Sequence, residues 1–231
     1  MNSTEQAKAA AAKAALQEIR DDTVIGLGSG STVAMLFTHL GEEVRNGRLH
    51  VKVVPASSQS EMLCFEHRIP LTTLNEHPQL DLVIDGADQV EKKDLVMIKG
   101  GGAALLREKI LLKSAKRRVI IVDEEKVVAG RLTGPVPVEV LPFSYVSVAR
   151  QIEKTGGAPR VRLAVKKNGP VVTDNGNFIL DVSFPNLGSY LEIDAGLRAI
   201  TGVIETGLFI GLADKVYVGT RTGEVQVLTK K

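Results

Sequence analysis

The sequence predicts an α/β protein with a Rossmann-like, mainly parallel sheet domain and a smaller ferredoxin-like α+β domain. Two observations predict it. Through the first 130 residues, apolar segments typical of strands alternate with longer segments typical of helices. From residue 131 onward the order changes to strand, helix, strand, strand, helix, strand, which is the order of a ferredoxin-like unit.

The first domain is predicted to begin with an alanine-rich helix. Ser3 or Thr4 opens this helix, and Gln6 is placed to complete a capping box. Further along, strands are predicted near 23–27, 51–54, 71–74, 81–85 and 118–123, and helices over 4–20, 32–46, 58–67 and 103–116. This alternation favours a parallel sheet with helices on its faces.

A proline-rich segment, 133–137, is typical of a crossing between domains. The second domain is predicted to contain strands at 137–141, 160–165, 178–183 and 203–206, and helices at 144–155 and 189–200. Apolar runs at 207–210, 215–218 and 225–228 are predicted to return to the first sheet as an antiparallel extension. The first domain would then be discontinuous and consist of residues 1–130 plus 207–231, and residues 131–206 would form the ferredoxin-like domain.

Charge and composition argue against several classes of partner. The 29 basic and 27 acidic residues leave a formal charge of +2, too small a field to favour nucleic acid or a membrane surface. Tryptophan is absent and only 4% of residues are aromatic, so base-stacking platforms are not evident. The N-terminal segment lacks the apolar core of a signal peptide, so we expect a cytoplasmic protein with no nucleic-acid and no membrane partner.

Cysteine and histidine usage argues against disulfides and metal sites. Cys64 is the only cysteine, so an internal disulfide is excluded and a buried, idle thiol is the favoured interpretation. The histidines at 39, 50, 67 and 77 lack the spacing that puts two ligands on one helix face. We therefore expect no protein-built metal site and no cofactor.

Three glycine-containing loops follow apolar, strand-like runs, and ligands bind at that edge of an open α/β sheet. The first, Gly26–Thr32, starts like a dinucleotide fingerprint but has Ser31 at the third glycine position. The segment after the second strand, 55–59, also lacks the acid that would hold a ribose. The remaining amides and hydroxyls suit a phosphate or a sugar hydroxyl, and a plain strand-to-helix turn is the alternative.

The second loop contains two carboxylates three residues apart, Asp85 and Asp88. We expect both to face one crevice, where close like charges would raise one pKa and leave an acid beside a base near neutral pH. A turn or a solvated cap is the alternative.

The third loop, Lys99–Gly102, precedes a predicted helix that carries Glu108. Its glycines allow the backbone to approach a ligand closely. A lysine and a carboxylate there suit proton abstraction next to a carbonyl, with the cation stabilising the enediolate oxygen. Alternatively, Lys99 is a surface residue and Glu108 pairs with Lys109 or Lys113. Lys8 and Lys126 could neutralise a phosphate, although lysines in such places are usually solvated.

In this order, the motifs of the chain resemble those of the ribose-5-phosphate isomerase A family, nearly end to end. The motifs are Gly28-Ser29-Gly30-Ser31-Thr32, Asp85-Gly86-Ala87-Asp88, Lys99-Gly100-Gly101-Gly102-Ala103-Ala104-Leu105, Arg107-Glu108-Lys109, Pro137-Val138-Glu139-Val140 and Val172-Thr173-Asp174-Asn175-Gly176-Asn177. The resemblance implies metal-independent interconversion of ribose 5-phosphate and ribulose 5-phosphate through a cis-enediolate in the pentose phosphate pathway. It also implies a homodimer or homotetramer with a sugar phosphate as its small-molecule partner.

The resemblance also implies roles for individual residues. Glu108 falls on the general base, Asp85 and Asp88 on carboxylates that assist ring opening and hydroxyl proton transfer, and Lys99 on the lysine near the oxyanion. The expected substrate-binding residues are Lys8, Ser29, Gly30, Ser31, Thr32, Asp85, Gly86, Ala87, Asp88, Lys99, Gly100, Gly101, Gly102 and Lys126. Gln89 departs from the glutamate usual in the family.

Three other functions compete with the isomerase. A non-catalytic sugar-phosphate sensor would need the same loops, but no DNA-binding helix pair precedes the first strand, and Glu108 is retained together with Lys99. An acyl-CoA transferase or an amino-sugar phosphate deaminase could use a similar sheet. Binding of coenzyme A or release of ammonia would distinguish these.

Overall fold

The computed structural model describes residues 2–230 and confirms the predicted α/β fold class. The helices are α1 Ser3–Leu16, α2 Ser31–Arg45, α3 Ser58–His67, α4 Leu105–Ser114, α5 Tyr145–Lys154 and α6 Tyr190–Arg198. The strands are β1 Thr23–Leu27, β2 Val51–Pro55, β3 Leu82–Asp85, β4 Gln89–Glu91, β5 Met97–Ile98, β6 Arg118–Asp123, β7 Val127–Val128, β8 Val136–Val140, β9 Ala158–Val161, β10 Phe178–Ser183, β11 Val203–Thr206, β12 Leu208–Phe209, β13 Lys215–Gly219 and β14 Val225–Thr229. None of the helices within residues 2–230 is long and apolar enough to cross a bilayer.

The largest sheet has six strands in the order β14-β13-β6-β3-β1-β2. All neighbouring pairs are parallel except β13 with β14. Parallel strands covered by helices on both faces are apolar throughout, which explains why β3 and β6 are almost wholly buried. The carboxyl ends of β1, β3 and β6 therefore meet at one edge of this sheet.

Helix α1 packs unusually close to this sheet. Four alanines, at positions 7, 11, 12 and 15, form its buried face. Opposite them, a Cβ on Gly219 would lie 1.8 Å from the carbonyl oxygen of Ala7, so only glycine fits there. This close packing places Lys8, the residue after Ala7, near the carboxyl edge of the strands.

The second sheet has four strands in the order β11-β8-β10-β9, and every neighbouring pair is antiparallel. Counted within this unit, the order is 4-1-3-2, and α5 and α6 form its two crossovers, as a ferredoxin-like unit requires. Its apolar cluster includes Val138, Val148, Ile152 and Leu180. The division into domains 1–130 plus 207–231 and 131–206 stays a prediction.

A third sheet, β12-β5-β4-β7, was not predicted. Its strands have only two or three residues each, too few for any periodicity to show in the sequence. Strand β12 pairs antiparallel with β5, so the prediction that 207–210 extends the first sheet is wrong. The predicted antiparallel return is also wrong for β13, which pairs in parallel with β6, and holds only for β14. Strand β5 leads directly into Lys99.

Three local predictions in the first 80 residues are wrong. Asn2 caps α1, and Glu5 completes the capping box, in place of Ser3 or Thr4 with Gln6. The helix begins at Ser3, one residue before the predicted start, and ends at Leu16, short of the predicted residue 20. Residues 71–74 form no strand and contribute only a single bridge, from Leu71 to Val53.

Candidate active site

A cavity of about 200 Å³ lies beyond the carboxyl ends of β1, β3 and β6. The residues that line it are Lys8, Ser29, Gly30, Ser31, Thr32, Gly86, Ala87, Asp88, Lys99, Gly100, Gly101, Gly102, Glu108, Val122, Asp123 and Lys126. Of the residues predicted to bind or transform a substrate, only Asp85 does not line the cavity. The rule that ligands bind where parallel strands end explains why loops distant in sequence converge here.

A buried ion cluster forms one end of this cavity. The Lys99 Nζ lies 3.0 Å from Asp85 Oδ2 and 3.1 Å from Glu108 Oε2, and all three side chains are at most 5% exposed. The same ammonium donates to the carbonyl oxygen of Gly86 at 2.6 Å. Lys99 is therefore not a surface residue, because its charge is held by two carboxylates inside the protein.

The surroundings shift two pKa values within this cluster. Burial, together with the nearby charge of Glu108, raises the pKa of Asp85 from 3.8 to about 7, although Lys99 opposes the shift. Burial lowers the pKa of Lys99, but Asp85 and Glu108 outweigh burial and raise it above its ordinary value. Lys99 thus stays protonated at neutral pH, while the carboxyl of Asp85 exchanges a proton there.

Glu108 belongs to the first turn of α4 and faces the cavity. Its Oε1 accepts a hydrogen bond from Ser29 Oγ at 2.7 Å, and its Oε2 faces the ammonium of Lys99. The alternative pairing with Lys109 is absent, because that buried lysine points the other way, to Glu205. A carboxylate fixed between a hydroxyl and an ammonium is well placed to take up and return a proton.

The two aspartates of the second loop do not form the predicted pair. Asp88 lines the cavity, and its Oδ2 accepts from the Gly101 N–H at 2.7 Å. Asp85 is completely buried, accepts from the Gly86 N–H and contacts Lys99. The turn between the aspartates thus gives the carboxylates separate partners. The like charge that raises the pKa of Asp85 belongs to Glu108.

Gly28 is required by the position of Asp85. A Cβ at residue 28 would lie 1.7 Å from Asp85 Oδ1. We therefore expect Gly28→Ala to displace this carboxylate and cost about 1–3 kcal/mol of folding free energy, with a large loss of any catalytic activity. Urea denaturation and a turnover assay check this. Gly130→Ala is the matched control, because a Cβ there has no atom within 4 Å, and equal effects of both variants would contradict the prediction.

The other end of the cavity suits an anion. Helix α2 begins at Ser31, and its N-cap, Gly30, has φ +96° and no side chain to cover the first amides. Lys8 Nζ donates to Ser31 Oγ at 2.9 Å, and Lys126 lines the same space. Free amides at a helix N-terminus, together with two ammonium groups, are features that favour binding of an anion.

Sequence reasoning missed one buried acid of the cavity. Asp123 is the last residue of β6, and its Oδ1 accepts from the Glu125 N–H at 3.1 Å. The position after a parallel strand, which singled out Asp85, would have identified it too. Gln89 lies apart from the chemistry, since its Oε1 accepts from the N–H groups of Thr133 and Gly134.

Cysteine and histidine stay outside the cavity. Cys64 is buried, as predicted, and this burial raises the pKa of its thiol to about 12. The structure brings His50 next to Asp21 and Asp22, a proximity that the sequence spacing did not indicate. All three are exposed.

The family model of ribose 5-phosphate isomerase A (phosphoriboisomerase A) matches residues 52–223. The chain belongs to this family. The resemblance found in the sequence motifs is thereby confirmed.

Individual members of the ribose 5-phosphate isomerase A family are similar over most of their length. The ribose-5-phosphate isomerase A of a Synechococcus strain is 46% identical over 215 residues, covering 92% of each chain. The human ribose-5-phosphate isomerase is 40% identical over 235 residues, covering all of this chain and 75% of its own.

Solved structures of the ribose 5-phosphate isomerase A family share the whole fold. The enzyme from Methanocaldococcus jannaschii superposes with a TM-score of 0.93 at 42% identity, covering 98% of this chain and 100% of its own. A D-ribose-5-phosphate isomerase in complex with phospho-erythronic acid gives a TM-score of 0.94 at 43% identity, with complete coverage of both chains.

Proposed function

We infer that this chain is an aldose-ketose isomerase that interconverts D-ribose 5-phosphate and D-ribulose 5-phosphate. Membership of the family supports the assignment of this reaction. The observation that carries it to individual residues is the polarity of the cavity, which has a buried Lys99 between two carboxylates at one end and an anion site at the other. A phosphorylated carbonyl compound needs both ends of the cavity, one for proton transfer beside the carbonyl and one for the phosphate.

The proton transfer between carbons is assigned to Glu108. Its carboxylate takes the proton from C2 of the open-chain aldose, the electron pair forms a C1=C2 double bond, and O1 becomes an oxyanion. The ammonium of Lys99 stabilises that cis-enediolate oxygen. Glu108 then returns its proton to C1 while the O2 proton moves to O1, which yields the ketose with every proton accounted for.

The hydroxyl protons are assigned to Asp88, because it is the aspartate that lines the cavity. In ring opening, Asp88 takes the proton of the anomeric hydroxyl and delivers it to the ring oxygen as the bond from C1 to that oxygen breaks. Asp85 is buried behind Lys99 and does not line the cavity. It contacts Lys99 and holds the ammonium in place, and so it influences the reaction through that group.

The phosphate is assigned to the N-terminus of α2, with Lys8 and Lys126. The relative solved with phospho-erythronic acid supports a cavity of this kind, because that ligand combines a phosphate with a carboxylate. A carboxylate is planar and anionic, like the two-oxygen face of a cis-enediolate. Tight binding of such a compound is expected where the site is complementary to the transition state.

Removing the ammonium of Lys8 should weaken binding and leave the chemistry intact. For Lys8→Ala we expect KM for ribose 5-phosphate to rise about tenfold, since a hydrogen bond to a charged group is lost, with kcat changed by less than about twofold. Steady-state kinetics at low and high salt check this, and salt should reduce the difference. Lys13→Ala, which removes an exposed lysine from the same helix, is the control, and a loss confined to kcat would contradict the assignment.

The function itself is tested by following ribulose 5-phosphate formation from ribose 5-phosphate in the presence of EDTA. We expect turnover without added metal or organic cofactor, because Lys99 supplies the positive charge at the developing oxyanion. Binding of ribose 5-phosphate without turnover would instead support a sugar-phosphate sensor. Coenzyme A binding or ammonia release would support the other two classes.

The setting of the reaction is part of the same proposal. We place it in the non-oxidative pentose phosphate pathway of the cytoplasm, with no nucleic-acid or membrane partner. We also propose a homodimer or homotetramer, since large apolar side chains are exposed at Phe143, Leu163, Val165 and Leu191. Sedimentation equilibrium tests the assembly, and a monomer at micromolar concentration would contradict it.

A further inference from the structure

The catalytic glycine loop, Gly100–Gly102, receives a side chain from the ferredoxin-like unit. Arg162 follows β9 directly, and its Nη1 donates to the carbonyl oxygens of both Gly100 and Gly101, at 2.6 and 3.0 Å. The other nitrogens of this guanidinium are held by Asp181 on β10, which accepts from Nε at 2.8 Å and from Nη2. One arginine thus joins two strands of the small sheet to the loop.

The contacts of Arg162 fix the orientation of two consecutive peptide groups. In a trans peptide the N–H points away from the C=O, and no cis peptide occurs in the described part of the chain. The peptide between Gly100 and Gly101 is therefore bound on both sides, with its carbonyl on Arg162 and its N–H on Asp88. The next peptide has its carbonyl on Arg162, so the Gly102 N–H is turned away from the guanidinium.

The glycines of this loop cannot fix its conformation by themselves. Gly100 has φ +110°, and glycine restricts backbone dihedrals less than any other residue. Arg162 supplies the missing restraint, because its Nη1 donates to both carbonyls while Asp181 holds Nε and Nη2. A lysine has a single nitrogen and could not bind the carbonyls and both oxygens of Asp181 in this planar arrangement. The charge of Arg162 is itself balanced, because Asp181 takes two of its nitrogens.

We propose that Arg162 is a positioning residue for the isomerase reaction, which orients the loop Gly100–Gly102 so that Asp88 and the loop amides keep their places at the substrate. It acts through the loop and does not line the cavity. This inference rests on the isomerase function proposed above. It assigns the ferredoxin-like unit a direct part in organising the active site.

The test compares Arg162→Ala with Arg160→Ala, which removes an exposed arginine from β9 two residues earlier. We expect Arg162→Ala to lower kcat by about 10- to 100-fold, as a misplaced catalytic group does, with KM changed by less than about threefold. Arg160→Ala should retain the parent kcat. Guanidinium chloride at tens of millimolar should restore part of the lost kcat, whereas sodium chloride at equal ionic strength should not.

Two further variants cover the case in which Arg162→Ala does not fold. Arg162→Lys keeps the charge but lacks the nitrogens that Asp181 holds, so it should keep an intermediate kcat. Asp181→Asn should lower kcat less than Arg162→Ala. An unchanged kcat in all folded variants, or a loss that falls on KM alone, would overturn the positioning role while the parent remains active. A parent without turnover would overturn the isomerase function and this inference with it.

Discussion

Replacing Glu108 by glutamine is expected to lower kcat for ribose 5-phosphate by about 10²–10⁴-fold, the usual contribution of a general base. The amide keeps the size of the side chain and can still accept from Ser29, whose Oγ lies 2.7 Å from Glu108 Oε1. Substrate binding should therefore persist, with KM within a few-fold of the parent. A coupled assay for ribulose 5-phosphate measures both constants.

Solvent exchange separates this prediction from a general loss of activity. If Glu108 carries the proton between C1 and C2, the parent should incorporate deuterium from D₂O into recovered substrate or product, and Glu108→Gln should not. Glu66→Gln, on the exposed side of α3, is the matched control and should behave like the parent. Near-parental exchange in Glu108→Gln would assign the base elsewhere.

Replacing Lys99 by methionine is expected to abolish turnover and to lower the free energy of unfolding by about 3–5 kcal/mol at pH 8, because two buried carboxylates lose their shared cation. The ion pairs at 3.0 and 3.1 Å to Asp85 and Glu108 are the contacts removed. Urea denaturation with circular dichroism gives the free energy, and the assay in EDTA gives the turnover.

The stability loss in Lys99→Met should depend on pH in a definite direction. Asp85 has a folded-state pKa of about 7 against 3.8 ordinarily, so between these values the folded protein binds more protons than the unfolded chain. The contribution of a protonated Asp85 is complete below pH 4 and is lost as the pH rises through 7. Without Lys99, ionising Asp85 costs still more. The difference between Lys99→Met and the parent should therefore shrink as the pH falls from 8 to 5.

The double variant Lys99→Met with Asp85→Asn provides the control for this argument. Removing one of the two carboxylates should recover stability relative to Lys99→Met at pH 8, without recovering turnover. A stability difference that is the same at every pH, or a double variant no more stable than the single one, would show that the charge of Asp85 is not the cause.

Much of the site follows from the order of strands and loops in the sequence. Apolar runs such as Val83-Ile84 indicated parallel strands, and polar residues after them had to meet at one edge. This rule predicts Lys99 and the amide of Gly30 at that edge, and the helix after the glycine loop carries Glu108. Applied to β6, the same rule predicts Asp123 at this edge as well.

Partners of the side chains were decided by the tertiary structure. The sequence placed Asp85 with Asp88, but the fold buries Asp85 under Gly28 and pairs it with Lys99. Likewise, β12 joins the small third sheet because it pairs with β5, a contact between residues about 110 positions apart that no local pattern records. Contacts of this kind depend on which elements pack together.

The sequence by itself determined the fold class, the edge of the sheet that holds the site and the residue types available there. Local hydrophobic patterning and glycine placement are sufficient for these, because they reflect short-range backbone preferences and burial. Only the tertiary structure decided that Lys99 is shared between two buried carboxylates and that Arg162 reaches the loop at Gly100. Charge partners and pKa values arise from burial and distance in space, which the order of residues does not specify.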